Sequence, residues 1–369
     1  MTTSMQGRPE WLPWREAWQH ALYGPHGFYR RPEGPAGHFR TASHASPRLL
    51  ASALARLARA AGCTTVVDVG AGRGELLAAL VALQDENQLD ADTRLVGVEV
   101  ASRPASLDPR VGWAGSIEEL QDRLADRLPD GLDNTLLIGW ELLDVVPCTV
   151  LEVDGRGVVR EVQVAGDGRE RLGPAAKEED LAWCRRWWPL DDAPAGTRAE
   201  VGLARDRFWN GVVDELAGGI ALAVDYGHTR TSRPPLGSLT GFREGRQVPP
   251  VPDGTTDITA HVAVDSLAAS LVGSFPDGGV PRARTTLTCP QREALSALGV
   301  RGRRPDIGLA TTDPKTYVRR LQEASEAAEL RDPAGLGGFS WVLHALGGPA
   351  AAALEAVLGQ SDSTTACPT

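Results

Sequence analysis

The residues best placed to do chemistry begin at Asp68-Val69-Gly70-Ala71-Gly72-Arg73-Gly74, between an apolar run, Val66 to Val69, and a helical pattern, Glu75 to Leu83. Glycines at Gly70, Gly72 and Gly74 let a backbone turn tightly and approach a ligand, while the following helix offers unpaired N–H groups to a carboxylate or phosphate. A ligand carrying an anionic group is expected. Dinucleotide sites favour G-x-G-x-x-G, whereas this loop reads G-x-G-x-G with an acid, Asp68, near the strand end. Glu99 closes a second apolar run, Leu95 to Glu99, at the separation where an acid accepts from both hydroxyls of a ribose.

Three further clusters follow apolar runs. The turn Gly115-Ser116-Ile117-Glu118-Glu119 has two readings: Ser116 and Ile117 border the adenine of a nucleoside ligand, or Ser116 and Glu119 form a capping box. Glu141 and Asp144 come just after Thr135 to Gly139, at the carboxyl edge where open α/β sheets bind ligands. Two carboxylates there could hold a cationic or N–H-rich acceptor for attack, with Trp140 as a stacking face; the plainer reading is a solvated turn with a capping acid. Asp225-Tyr226-Gly227-His228 is a similar cluster, with Tyr226 against the substrate and His228 as a base or an orienting group.

Elements that could position these residues alternate along the chain. Pro47 opens an alanine-rich helical stretch to Ala61 with Leu50, Leu54 and Leu57 on one face, and strands are predicted at Val66 to Val69, Leu95 to Val100, Thr135 to Gly139 and Ile220 to Val224. Such alternation implies a mostly parallel sheet covered on both faces. Val150 to Val164 reads as an antiparallel hairpin, Arg171 to Asp192 as a tryptophan-bearing insertion, and Phe339 to Leu346 as a final strand beside the sheet. The aromatic segment from Trp11 to Tyr29 reads as an N-terminal arm or lid.

A net charge of -10 works against nucleic acid as the main partner, since a polyanion needs a basic surface. Lysine occurs only at Lys177 and Lys315 while arginine is abundant, a bias to which no function attaches. Cys63, Cys148, Cys184, Cys289 and Cys367 are odd in number and never in a C-x-x-C pair, so neither a disulfide framework nor a metal site is expected, and a cytoplasmic location follows. No membrane partner is expected either, because no apolar run approaches spanning length.

With these segments in order, the chain resembles the MidA-like family of S-adenosylmethionine-dependent methyltransferases, whose mitochondrial member assists assembly of respiratory complex I. The likeness includes Tyr23-Gly24, Gly27-Phe28-Tyr29, Gly37-His38-Phe39-Arg40-Thr41, the glycine loop, Glu141 to Pro147, Asp225 to His228, Gly241-Phe242-Arg243, Asp257-Ile258-Thr259-Ala260-His261-Val262 and Asp332-Pro333. It fades between Arg171 and Asp214.

The resemblance implies a class I Rossmann-like methyltransferase fold with a mostly parallel seven-stranded sheet, an N-terminal arm and a hairpin and helical insertion. Its divisions are expected at 1–48 for the arm, 49–147 for the cofactor half, 148–215 for the insertion, 216–349 for the C-terminal half and 350–369 for a tail. S-adenosylmethionine is the implied cofactor, held by Asp68, Gly70, Gly72, Gly74, Glu99, Ser116 and Ile117 with Gly37, Phe39 and Thr41 of the arm.

Symmetric dimethylation of a protein arginine is the activity implied by the best-known member. The family pattern has aspartate in place of His38, proline and glutamate in place of Ser43 and His44, and asparagine in place of Trp140. These departures keep open a small-molecule acceptor and an assembly factor that retains the cofactor fold; a nicotinamide oxidoreductase is disfavoured by the loop spacing. A homodimer is compatible with all of these readings.

Overall fold

The protein's structure, a computed structural model, describes residues 10–31, 45–124, 132–271 and 284–359. Contacts divide the chain into two compact units. One draws on Arg40–Leu142, Asn210–Tyr226 and Leu271–Thr369, the other on Met1–Phe39, Leu143–Trp209 and Gly227–Ser270.

The first unit is built on seven strands: β1 (Thr65–Val69), β2 (Arg94–Val98), β3 (Gly112–Ala114), β4 (Thr135–Trp140), β5 (Gly219–Asp225), β6 (Arg284–Pro290) and β7 (Ser340–Leu346). They lie in the order β6-β7-β5-β4-β1-β2-β3. Pairings from β5 through β3 are parallel, while β7 runs antiparallel to both β5 and β6. The sheet expected to be mostly parallel is therefore mixed, its antiparallel end made by the last strand entering between β5 and β6. Every residue of β1, β4 and β5 is buried, as strands covered on both faces require.

The helix Pro47–Ala60 shows how sequence makes one of these covers. Pro47 stands in its first turn, where no N–H is needed, and Leu50, Leu54 and Leu57 are buried on one stripe at ~2 kcal/mol each. Gly62, at φ 67°, ends it in the left-handed conformation common beyond helix ends.

The order of the sheet reverses at β1. From there the chain first adds β2 and β3 on one side, then β4 and β5 on the other, so the loops after β1 and β4 flank the switch point where such sheets bind ligands.

The second unit centres on the hairpin of Thr149–Val153 and Val159–Val164, antiparallel with Leu151 opposite Glu161. Alternation along these strands feeds two cores. Val150, Val162 and Val164 pack with Trp14, Trp18, Leu22 and Phe28, whereas Leu151 and Val153 pack with Trp183, Cys184 and Trp188. The segment predicted as an arm thus contains a helix, Trp14–Tyr23, whose Trp14 and Trp18 are fully buried side chains. Within the predicted insertion, Glu178–Trp187 is a helix on the other core.

Arg205 is 1% exposed in the helix Leu203–Asp214. Its guanidinium donates to the carbonyls of Asp144, Val146, Ala260 and His261 at 2.7 to 3.1 Å, and lies 5.6 Å over the Trp18 ring. One side chain thereby ties residues 144–146 to residues 260–261. Arg205→Met should leave these acceptors unpaired and cost about 3 kcal/mol of stability, with Arg205→Lys recovering only part because a point charge cannot replace the planar fork. Denaturant unfolding of the full chain is the measurement; an unchanged midpoint for the Met variant would show that the carbonyls find other partners.

Candidate active site

The glycine loop follows β1 with Gly70, Gly72 and Gly74 at φ 75°, 57° and 80°. Val98, the last residue of β2, accepts from the backbone N–H of Gly70 at 2.9 Å. A Cβ on Gly70 would sit 2.8 Å from Leu142 Cδ1, so the loop after β1 needs glycine where the chain after β4 crosses it. At Gly72 a Cβ would meet nothing nearer than Glu75 Oε2 at 3.8 Å, leaving open space before the backbone.

Glu99, half-buried just past β2, accepts from the N–H groups of Gly72 at 3.0 Å and Ala101 at 3.2 Å. Burial raises its pKa. Asp68 is 4% exposed; burial, then the charges of Glu99 and Glu75, push its pKa up to about 8. With Asp68 protonated, Glu99 and Glu75 beside a loop at a helix N-terminus make the surroundings negative as well as donor-rich. That field suits a ligand with a cationic group in addition to the anionic one expected from sequence.

Ser116 and Glu119 form the capping box: Ser116 Oγ accepts from the Glu119 N–H at 3.2 Å, and Glu119 Oε2 accepts from the Gly115 N–H at 2.5 Å. Ile117 is buried. Trp113 on β3, which the sequence reading passed over, packs against Gly97 and Gly74 and donates from Nε1 to the Ala101 carbonyl at 3.2 Å.

At the carboxyl end of β4, Glu141 has φ 50°, a left-handed backbone that costs a glutamate of order 1–3 kcal/mol. Its N–H donates to the Val224 carbonyl at 2.8 Å. Trp140 lies edge-on to Trp341 with ring centroids 5.5 Å apart and is 8% exposed, so its indole is mostly core. Tyr226 is half-buried against Phe339.

In the second unit, Asp144 and Asp257 are buried, and the Tyr29 hydroxyl donates to Asp257 Oδ1 at 3.1 Å. Burial, reinforced by the Asp144 charge, holds the Asp257 carboxyl well above its usual range; burial and Asp257 raise Tyr29. Tyr23 stacks on Tyr29 at 5.5 Å and donates to the Val145 carbonyl. Sequence reading singled out Asp144 alone. Tyr29 and Asp257 both fell in family-like segments, but no local pattern joins residues 228 positions apart.

His228 is also in this unit, buried edge-on to Trp188 with ring centroids 4.7 Å apart. Arg233, which can only donate, reaches His228 Nδ1 at 2.6 Å, leaving the ring proton on Nε2. Burial and then the Arg233 charge lower its pKa to about 3. This geometry favours the orienting role over the base. Gly37, Phe39, Thr41, His38, Ser43 and His44 lie outside the described residues.

A family profile described as "Putative S-adenosyl-L-methionine-dependent methyltransferase" matches residues 49–274. The chain belongs to this family. The methyltransferase family includes MidA-like proteins, in keeping with the resemblance read from the sequence, and its cofactor is S-adenosylmethionine. In fold, the methyltransferase is similar to two crystal structures from Burkholderia thailandensis. One is described as a "likely methyl transferase" bound to S-adenosyl-homocysteine: 24% identity, TM-score 0.69, covering 92% of this chain and 89% of that one. The other, a native structure of an uncharacterized protein, gives 24% identity and TM-score 0.69 over 92% and 88%. No curated protein matches the methyltransferase.

The residues present fit the family's cofactor: the open approach at Gly72 admits a ligand against the backbone, and the acids beside it suit a sulfonium and an amine. Asp68 also makes a stability prediction. An unfolded chain loses the Asp68 proton near 3.8, whereas the folded methyltransferase keeps it to about 8, so stability falls as pH rises between these values. Asp68→Asn, which cannot ionise, should therefore raise the melting temperature more at roughly pH 9 than at roughly pH 5. An equal effect at both would mean that Asp68 ionises as readily folded as unfolded.

Proposed function

We propose that this methyltransferase modifies a nitrogen on a protein side chain, an arginine guanidinium, holding S-adenosylmethionine at Asp68 to Gly74 with Glu99. When bound, the cofactor supplies an electrophilic methyl group on a sulfonium. The S-adenosyl-homocysteine bound by the Burkholderia protein supports that donor site.

The acceptor reading rests on the buried group of Asp144, Asp257 and Tyr29. A guanidinium is a poor nucleophile because its charge is delocalised and its pKa exceeds about 12, so an enzyme must orient it and localise its charge with carboxylates. Two neighbouring buried carboxyls resist ionising together, and a cation brought to them relieves the repulsion. In taking the methyl group from the sulfonium, which would be left as a thioether, the nitrogen would give up a proton to Asp144, while Asp257, its pKa held well above the usual range, keeps the proton it already carries. Glu141 belongs to the unit that carries the glycine loop, and the strain of its backbone is the kind that persists where a side chain must be aimed.

Calorimetry should detect S-adenosylmethionine binding to wild-type protein, weakened by roughly 1–3 kcal/mol in Glu99→Ala. Asp144→Asn, Asp257→Asn and Glu141→Gln should keep that affinity within about threefold while lowering methyl transfer to arginine peptides at least 100-fold, roughly the scale of a lost acid–base group. Wild-type turnover in all three variants, or labelling of small molecules alone in a lysate, would sink the arginine assignment.

A further inference from the structure

Between Arg301 and Arg320 the chain carries Arg301, Arg303, Arg304, Lys315, Arg319 and Arg320 against only Asp306 and Asp313, in a protein of net charge -10. These residues form one local assembly. A Cβ on Gly302 would touch Ala324 and Ala327 of the helix Pro314–Leu330, and the short helix Leu309–Thr312 leads directly into it. Asp313 caps the long helix, accepting from the Thr316 N–H at 3.1 Å, and its hydrogen bonding to Thr316, then the charges of Arg319 and Arg320, lower its pKa.

That helix buries only Ala324, Ala327 and Leu330; none of its first ten residues, 314–323, is buried, Thr316 and Tyr317 being half-buried and the rest exposed. Large apolar side chains project from the same region: Ile307 is 74% exposed, Val318 62% and Leu321 37%. At helical spacing Tyr317, Leu321 and Val318 fall within about 100° of arc. Lys315 borders this stripe on one side and Arg320 on the other. Arg303, Arg304, Lys315 and Arg320 have no ion pair among the described residues, and Arg319 is 4.0 Å from Glu323.

We propose that the segment Arg301–Arg320 docks this protein onto an anionic lipid bilayer. Cations flanking a narrow apolar stripe are the pattern of a helix lying in the plane of a membrane interface, where the basic groups meet lipid phosphates and the apolar tips enter the acyl boundary. A local basic face on an acidic chain also fixes the orientation of approach, because the rest of the surface is repelled. Apolar tips this far exposed fit a fluid surface, which conforms around them, better than a protein partner, which would have to present ready-made pockets. Docking of this kind needs no spanning segment.

Co-sedimentation of the full chain with vesicles of phosphatidylserine and phosphatidylcholine in equal parts should exceed that with pure phosphatidylcholine by about tenfold or more and weaken with added salt. The quadruple reversal Arg303→Glu, Arg304→Glu, Arg319→Glu, Arg320→Glu should abolish the excess, and the triple change Ile307→Ser, Val318→Ser, Leu321→Ser should reduce it at least about threefold. Both variants change exposed side chains and should bind S-adenosylmethionine as wild type does, which checks their folding separately. Equal binding to the two vesicle types, undiminished binding by the charge-reversed protein, or salt-sensitive binding to an acidic protein without any vesicle binding would overturn the proposal.

Discussion

Carboxyl groups buried beside other carboxyl groups are the constraint on which this molecule turns. Removing an ionised acid from water costs several kcal/mol unless a cation or a set of donors compensates. For Asp68 the neighbouring charges are Glu99 and Glu75; for Asp257 the neighbour is Asp144. Both acids therefore keep their protons longer than a surface carboxyl would. Folding meets this cost with the apolar packing around β1 and β4 and around the tryptophan-rich hairpin.

Arg205 solves the opposite problem by a different route. Its guanidinium is buried on four backbone carbonyls. The carbonyls are held in place by the guanidinium, and the segments carrying Asp144 and His261 are held with them. A buried cation thus acts as a structural fastener.

Much of the first unit could be read from the sequence because its signals are local. The glycine loop, the apolar runs of β1 and β4, and the helix from Pro47 each declare themselves within about 15 residues, the span over which periodicity and capping operate. The capping alternative at Ser116 and Glu119 was equally legible, since three residues separate its partners. The antiparallel end of the sheet was not: nothing in Phe339 to Leu346 says that this strand enters between β5 and β6. Trp14–Tyr23 looked like an arm because its aromatic residues precede a glycine- and proline-rich stretch, yet its core partners lie more than 120 residues later in the hairpin. Tyr29 and Asp257 failed for the same reason, and Trp140 looked like a stacking face because Trp341, its partner, is in another part of the chain.

Under the proposed acceptor role, the left-handed backbone of Glu141 sets stability against activity at one position. Glycine would occupy that conformation at no steric cost, so the replacement that best relaxes the main chain is also one that deletes the carboxylate. A screen for heat tolerance alone would drift toward glycine at this position, and a screen for turnover would hold the glutamate. Consensus or thermostabilising redesign of this protein should leave residue 141 fixed and seek its gains elsewhere.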